Sequence, residues 1–582
     1  MENQRLFIWA LFGLLLFMTW TTWQQDYGVP PESSPPETPV GAEQARTAND
    51  GLAADLPEID DVPSAQAPAG REVDAPAAAD AVSSGERRIR VVTDVLEILI
   101  SSRGGDIVSA VTLQYPREKD RPDDLVQVLN PSPSELAVFR TGLRAVSDDG
   151  AGEEPNHRAT FTAERSEYRL GEGEDVLEVP LTWERPDGLR VTKSYRFERG
   201  SYIIPMEQRV ENGTGTPWTA APYAQIAHRM HSQKRSMFDV ATYSFDGPVL
   251  YNGSKYEKIQ PDDLREDGPV QARAEDGWLA SIEHHFLSAI VPPPATEYRY
   301  DFSARGENFL ASTIGPAYSF APGETTSLGM TLFVGPKIQD QLAQVADTLK
   351  LTVDYGFLTI LSQPLFWLLD KVHDLVGNWG WAIIIVTLLI KLVFYKLTET
   401  SGRSMAKMRK LQPRLKAIQE RYKDDRQKLS QAMMELYKRE KVNPAAGCLP
   451  ILVQMPFFLA FYWVLLESVE MRQAPFMLWI QDLSSRDPYF ILPILMGAAM
   501  FGQQKLNPAP PDPVQAKVMS ILPIVFTVFF AFFPAGLVLY WLTNTLLSIA
   551  QQWQVNRVVE AEDRKSRQPK SKGKGAGRKD GD

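Results

Sequence analysis

Runs of apolar residues long enough to cross a bilayer constrain this chain more than any other feature. A helix needs about 20 apolar residues to span the hydrocarbon core. The first run is Leu6 to Trp23. Later come Trp381–Leu397, Leu449–Leu466, Tyr489–Gln504 and a long stretch from Met519 to Trp553. Pro534-Ala535-Gly536 interrupts the last stretch, which therefore reads as a helical hairpin. The pattern predicts six spans. Tyr489–Gln504 and Met519–Phe533 are short, which implies either a locally thinned bilayer or boundaries that lie a few residues further out.

Charge orients these spans. The 582-residue chain has a net charge of −11, yet residues 398–448 carry thirteen Lys/Arg against six Asp/Glu. From Val555 onward there are nine Lys/Arg against five Asp/Glu. Basic segments beside spans stay cytoplasmic, so both termini are expected inside and residues 24–378 outside. The first run starts like a signal peptide. It lacks a small-residue cleavage site, since Gln24-Gln25-Asp26-Tyr27 follows, and no cysteine is there for lipid processing. It reads as an uncleaved anchor. Cys448 is the sole cysteine, so an intramolecular disulfide is excluded. Tyr355–Val376 mixes Asp370, Lys371, His373 and Asp374 with apolar residues and reads as an interfacial helix on the outer surface.

The expected organisation is an anchor (1–23), a disordered Pro/Ala-rich linker (24–84), a β-sandwich domain (85–335) and an amphipathic interfacial region (336–378). A five-span core (379–556), containing a cytoplasmic helical hairpin (398–448), and a basic disordered tail (557–582) complete it. The linker is too polar to bury a core. Strand signals begin at Ile89, and Pro186-Asp187-Gly188 between two alternating runs signals a hairpin. In the cytoplasmic loop, Met408, Leu411, Leu415 and Ile418 keep helical spacing, as do Leu429, Met433 and Leu436.

Little here suggests enzymatic chemistry. His284 and His285 are adjacent, so on a strand they would point to opposite faces and could not share a metal. No nucleophile elbow, phosphate loop or zinc spacing is found. The sequence predicts no enzyme, cofactor, metal or DNA partner. One residue stands out. Lys391 lies within the run from Trp381 to Leu397, where a charge costs on the order of 3 kcal/mol. It faces a hydrated cavity, or it snorkels towards the inner headgroups near Lys396. Thr387 and Tyr395, four residues to either side, would share its helical face. Gln454, Tyr540, Trp541, Asn544 and Gln551 are polar groups in other spans. They could bond helices together or line one groove with Lys391.

Several segments together carry a family resemblance. They include Ser404-Met-Ala-Lys-Met-Arg-Lys-Leu-Gln-Pro, Lys441-Val-Asn-Pro and Gly447-Cys-Leu-Pro-Ile-Leu-Val-Gln-Met-Pro. Trp479-Ile-Gln-Asp-Leu and Phe533-Pro-Ala-Gly-Leu-Val-Leu-Tyr-Trp follow in order. From Gln363 to Gln554 the chain resembles the YidC/Oxa membrane protein insertases, and its anchor and outer domain resemble their Gram-negative members. The resemblance implies a five-helix core around a groove open to cytoplasm and lipid, and a sugar-binding-like supersandwich in the periplasm. It implies a multi-pass inner-membrane protein that inserts and chaperones nascent membrane proteins, alone or beside the Sec translocon and its accessory complex. Ribosomes and anionic lipids would meet the basic loop and tail. Lys391 matches the family's cationic groove position, where Arg is usual; Trp541 stands where Tyr is usual. Two other functions remain open on the sequence: a solute transporter with an outer ligand-binding domain, and an envelope enzyme acting on glycans. The first calls for internal repeats, the second for a carboxylate pair in a cleft.

Overall fold

The computed structural model describes residues 87–146, 153–230, 244–422, 425–440, 442, 449–506 and 513–567. The expected anchor, the linker, Cys448 and the end of the tail lie outside the described residues. The chain divides into two units: a β-rich one up to Asp354, with Glu467–Val469, and a helical one comprising the rest from Tyr355.

The β-rich unit contains three sheets, of five, nine and six strands. Strict alternation builds them. In Leu189–Glu198 every other residue points inward: Leu189, Val191, Lys193, Tyr195 and Phe197 are buried. The hairpin at Pro186-Asp187-Gly188 forms, with Val176–Glu184 antiparallel to Leu189–Glu198 and Gly188 at a φ of 101°. The stretch from Ile89 to Ile100 is not one strand. The Thr93 hydroxyl accepts from the N–H groups of Val95 and Leu96, turning Arg88–Val92 back onto Leu96–Ser101. One pairing is parallel, Arg88–Val92 with Glu167–Arg169. His284 and His285 are also placed differently. They occupy the turn between Trp278–Ile282 and Phe286–Val291, not a strand, and their rings stack with centroids 3.9 Å apart. Two short helices, α1 (Pro261–Glu266) and α2 (Gln339–Val345), complete this unit.

Lys193 is the unusual core residue. It is fully buried, and its ammonium donates to Gly104 O (2.5 Å), Thr141 O (2.9 Å) and Thr141 Oγ1 (2.8 Å). Asp106 Oδ1 lies 3.7 Å away and accepts from Thr141 N–H at 2.8 Å. The cluster joins all three sheets. Asp106 precedes a strand of the five-stranded sheet, Lys193 lies in the nine-stranded sheet, and Thr141 pairs with the six-stranded one. Burial pushes the Asp106 carboxyl up to about 6 and the Lys193 ammonium down to about 8.

The helical unit comprises α3 (Thr359–Val376), α4 (Trp379–Val393), α5 (Tyr395–Arg421), α6 (Arg426–Arg439), α7 (Leu449–Glu467), α8 (Ile491–Leu506), α9 (Pro513–Phe530) and α10 (Ala535–Arg567). Gly377, in the left-handed region at φ 66°, closes α3. Asn378 then caps α4 by accepting from Trp381 N–H. The long stretch from Met519 breaks before Pro534 and restarts at Ala535, as its turn signal predicts. In the basic loop over 398–448, Leu411 and Leu415 of α5 meet Leu436 and Tyr437 of α6, the stripes their spacing predicts.

Among the described residues no single helix is both long and apolar enough to cross a membrane. α4 and α5 pass that test only together, with a 69° bend between them. The expected span to Leu397 thus ends at Val393, because the chain turns at Phe394. Large apolar side chains nevertheless cover the surface of these helices. Leu392, Val393, Ile494, Ile524, Val528 and Phe529 are all more than half exposed, which suits lipid and not water.

Candidate functional site

One end of the helical unit is closed by a tightly bonded loop. Asp487, only 1% exposed, accepts from Trp479 Nε1 (3.1 Å), Tyr489 N–H (3.0 Å) and Leu492 N–H (2.7 Å). Asp482 accepts from Gln473 N–H and from the Ser484 N–H and hydroxyl. The loop is pinned to the start of α10 by Ala535 N–H to Ser485 O and Gly536 N–H to Leu483 O. Gly380, in the first turn of α4, touches Phe476 so closely that a Cβ would collide with the ring.

Lys391 lies at the other end of α4, 11 residues beyond Gly380 and so about 17 Å along the axis. It is 7% exposed. Its Nζ donates to Ser548 Oγ of α10 at 2.8 Å, and the Ser548 hydroxyl donates in turn to Asn544 O at 2.7 Å. Among the described residues it has no carboxylate partner. An ammonium has three protons to give, so this cation is under-served.

The other expected residues fall into separate groups. Thr387 is buried on α4, but its hydroxyl is spent on Ile383 O (2.6 Å) of its own helix. Tyr395 does not continue the face of Lys391, because the bend at Phe394 intervenes; it opens α5, and its carbonyl accepts from Gln551 Nε2 at 3.2 Å. Tyr540 and Trp541 sit in an aromatic cluster with α7. Tyr540 stacks on Phe461 (4.4 Å between centroids), and Trp541 meets Phe458 edge-on (4.7 Å). Gln454 is half-buried on α7, and Asn544 is half-buried one turn before Ser548. The structure thus joins Lys391 to Asn544 through Ser548, a residue the sequence reading passed over. Helical spacing from Asn544 was the available signal, since four residues on returns to the same face.

Two family models match this chain: "60Kd inner membrane protein" over residues 371–563 and "YidC periplasmic domain" over 88–368. "Membrane protein insertase YidC" of Thioalkalivibrio sulfidiphilus (strain HL-EbGR7) is 48% identical over 577 residues, covering 97% of this chain and 100% of that protein. The chain belongs to the YidC family of membrane protein insertases. The same-named protein of Nitrosococcus oceani is 49% identical over 566 residues, with 97% of this chain and 100% of that one covered. A crystal structure described as an active YidC insertase with its first transmembrane domain resolved aligns with 81% of this chain and 92% of its own, at 20% identity and a TM-score of 0.37. The resemblance first drawn from motifs between Gln363 and Gln554 therefore extends over nearly the whole chain. Family membership gives the function, insertion of nascent proteins into the inner membrane, and makes the β-rich unit a periplasmic domain. Nothing in these relatives supports the transporter reading.

Proposed function

We propose that the helical unit receives the polar flank of an incoming membrane segment at Lys391 and releases the apolar part into lipid. The observation that carries this reading is the buried ammonium served by a single serine hydroxyl. A carboxylate on the client supplies the missing counter-charge, so the unpaired cation is costly when empty and attractive to acidic segments. Thr387, Tyr395, Gln454, Tyr540, Trp541 and Asn544 line the rest of the path in this reading, and the loop bonded through Asp482 and Asp487 closes its outer end. The chain crosses the membrane six times, with both termini cytoplasmic. Its periplasmic sheets stack as a supersandwich. The basic hairpin of α5 and α6 meets anionic lipid and ribosomes, and the protein works alone or with the Sec translocon and its accessory complex. No fuel-binding motif is needed, because lipid solvation of the client's apolar segment drives release.

The test uses proteoliposomes holding the full-length protein and a small single-span client, with insertion scored by protease protection of its translocated tail. Lys391→Ala is expected to lower insertion of an acidic-tailed client about ten-fold and to spare a neutral-tailed one. Lys391→Arg keeps the charge and is expected to stay within about two-fold of wild type. Equal insertion of the acidic client by Lys391→Ala and wild type would remove the charge from the mechanism.

A further inference from the structure

The 69° bend between α4 and α5 lacks the usual sequence breakers. Sharp kinks usually arise at Pro or Gly, or where an outside side chain enters the hydrogen-bond ladder. Leu392-Val393-Phe394-Tyr395 contains neither Pro nor Gly. The outside side chain is present. Gln551 Nε2 of α10 donates to Tyr395 O at 3.2 Å and to Thr398 Oγ1 at 2.6 Å, within the first turn after the bend. The Thr398 hydroxyl gives its own proton to Phe394 O or Tyr395 O, both at 3.0 Å, which leaves a lone pair for Gln551.

Gln551 belongs to a stripe on α10 formed by Ser548, Gln551, Val555, Val559 and Glu562, spaced three and four residues apart. The stripe meets α4 first and then α5. Ser548 holds Lys391, Gln551 holds the bend, Val555 and Val559 pack with Ala406, and Glu562 accepts from Arg403 at 3.1 Å. We propose that Gln551 is a positioning residue for insertion: it fixes the α4–α5 bend against α10, and so holds both the Lys391 ammonium over Ser548 and the cytoplasmic hairpin in one orientation. This rests on the reading of Lys391 as the cation that meets the client. A client carboxylate that draws the ammonium from Ser548 acts one helical turn from Gln551, so groove and hairpin are linked through a single stripe of α10.

The experiment uses the full-length protein in nanodiscs with Cys448→Ser and spin labels at Arg409→Cys on α5 and Gln554→Cys on α10, both exposed positions. Double electron–electron resonance is expected to give one narrow distance in the parent protein. Gln551→Leu should shift that distance or roughly double its spread. Thr398→Val, which keeps the shape and loses the acceptor, should do the same, and Thr398→Ser should not. An unchanged distribution in Gln551→Leu and Thr398→Val overturns the proposal. In the insertion assay, Gln551→Leu is expected to lower the acidic-tailed client about five-fold, the scale of one interhelical hydrogen bond. The neutral-tailed client should change by less than about two-fold. Adding Gln551→Leu to Lys391→Ala should cost nothing further; an additive loss would mean a merely structural role and would sink the positioning claim. An altered distance with undiminished acidic insertion would leave Gln551 as the holder of the bend and overturn its role in insertion, whereas failure of the client-binding reading of Lys391 would show separately, as equal acidic insertion by Lys391→Ala and wild type.

Discussion

Lys193→Met replaces the buried cation of the periplasmic domain with an unbranched side chain of similar reach. Three acceptors, Gly104 O, Thr141 O and Thr141 Oγ1, lose their donor, and Asp106 loses the charge 3.7 Å away. Removing one member of a buried pair costs about 3–5 kcal/mol when the other stays charged. Asp106 has an escape, which makes the loss depend on pH. Burial already lifts its carboxyl from the usual range to about 6, against about 4 when unfolded. The folded state therefore holds the extra proton, so this group's contribution is fully present below about pH 4 and is lost as pH rises through about 6. Without Lys193 the carboxyl rises further, and the variant goes on losing stability above pH 6 where the parent does not. The expected loss is about 1–2 kcal/mol at pH 5 and about 3–5 kcal/mol at pH 7.5. Hydrogen–deuterium exchange of the Thr141–Leu143 and Lys193–Phe197 amides, in the full-length protein in detergent, reads the opening free energy at each pH. Adding Asp106→Asn should recover more than half of the loss at pH 7.5. A loss below about 1 kcal/mol at pH 7.5, or the same loss at both pH values, would refute the reasoning.

Two further predictions concern the membrane unit. Gly497 of α8 packs against Thr527 of α9, whose hydroxyl is fixed on Pro523 O at 2.7 Å, so a Cβ at 497 would collide with it. Gly497→Ala is expected to cost about 1–3 kcal/mol, measured as a lowered Tm in detergent, and Thr527→Ala in the same chain should restore it. Asp487→Ala strips the acceptor from three donors in the closing loop and is expected to cost about 2 kcal/mol locally. The loop between Met471 and Phe490 should then be cleaved faster by protease in the folded protein, and an unchanged rate would deny Asp487 its clamping role.

The sequence was most legible where one periodicity decides the structure. Apolar length gave the helices from Trp379 to Gln554, Pro534 marked the turn between α9 and α10, and the spacing of Leu411, Leu415 and Leu436 gave the seam between α5 and α6. It was least legible where partners lie far apart in the chain. Ser548 is 157 residues from Lys391, and no local pattern couples them. The bend at Phe394 was invisible for a related reason: the side chain bonded just after it belongs to α10. This is why Tyr395 was placed on the face of Lys391 by a four-residue step that the chain does not make. Lys193 was a missed signal of another kind. Its neighbours Val191 and Tyr195 are inward residues of a strictly alternating strand, so period two alone placed a lysine in the core.

The two buried lysines separate structure from function. Both are nearly or wholly removed from solvent, and burial is costly for any ammonium. Lys193 has three oxygen acceptors and a carboxylate close by, so each of its protons has a place and its charge is neutralised within the fold. Such a residue organises a core and has nothing left for a ligand. Lys391 has one hydroxyl, already donating to a carbonyl, and no carboxylate among the described residues. The contrast is what supports the proposed function: the fold satisfies one lysine fully and leaves the other, at the end of an apolar helix, with a single hydroxyl. In the proposed function an acidic segment on its way into lipid would supply what that site lacks, which is why the charge at 391 and not its size is the quantity to vary.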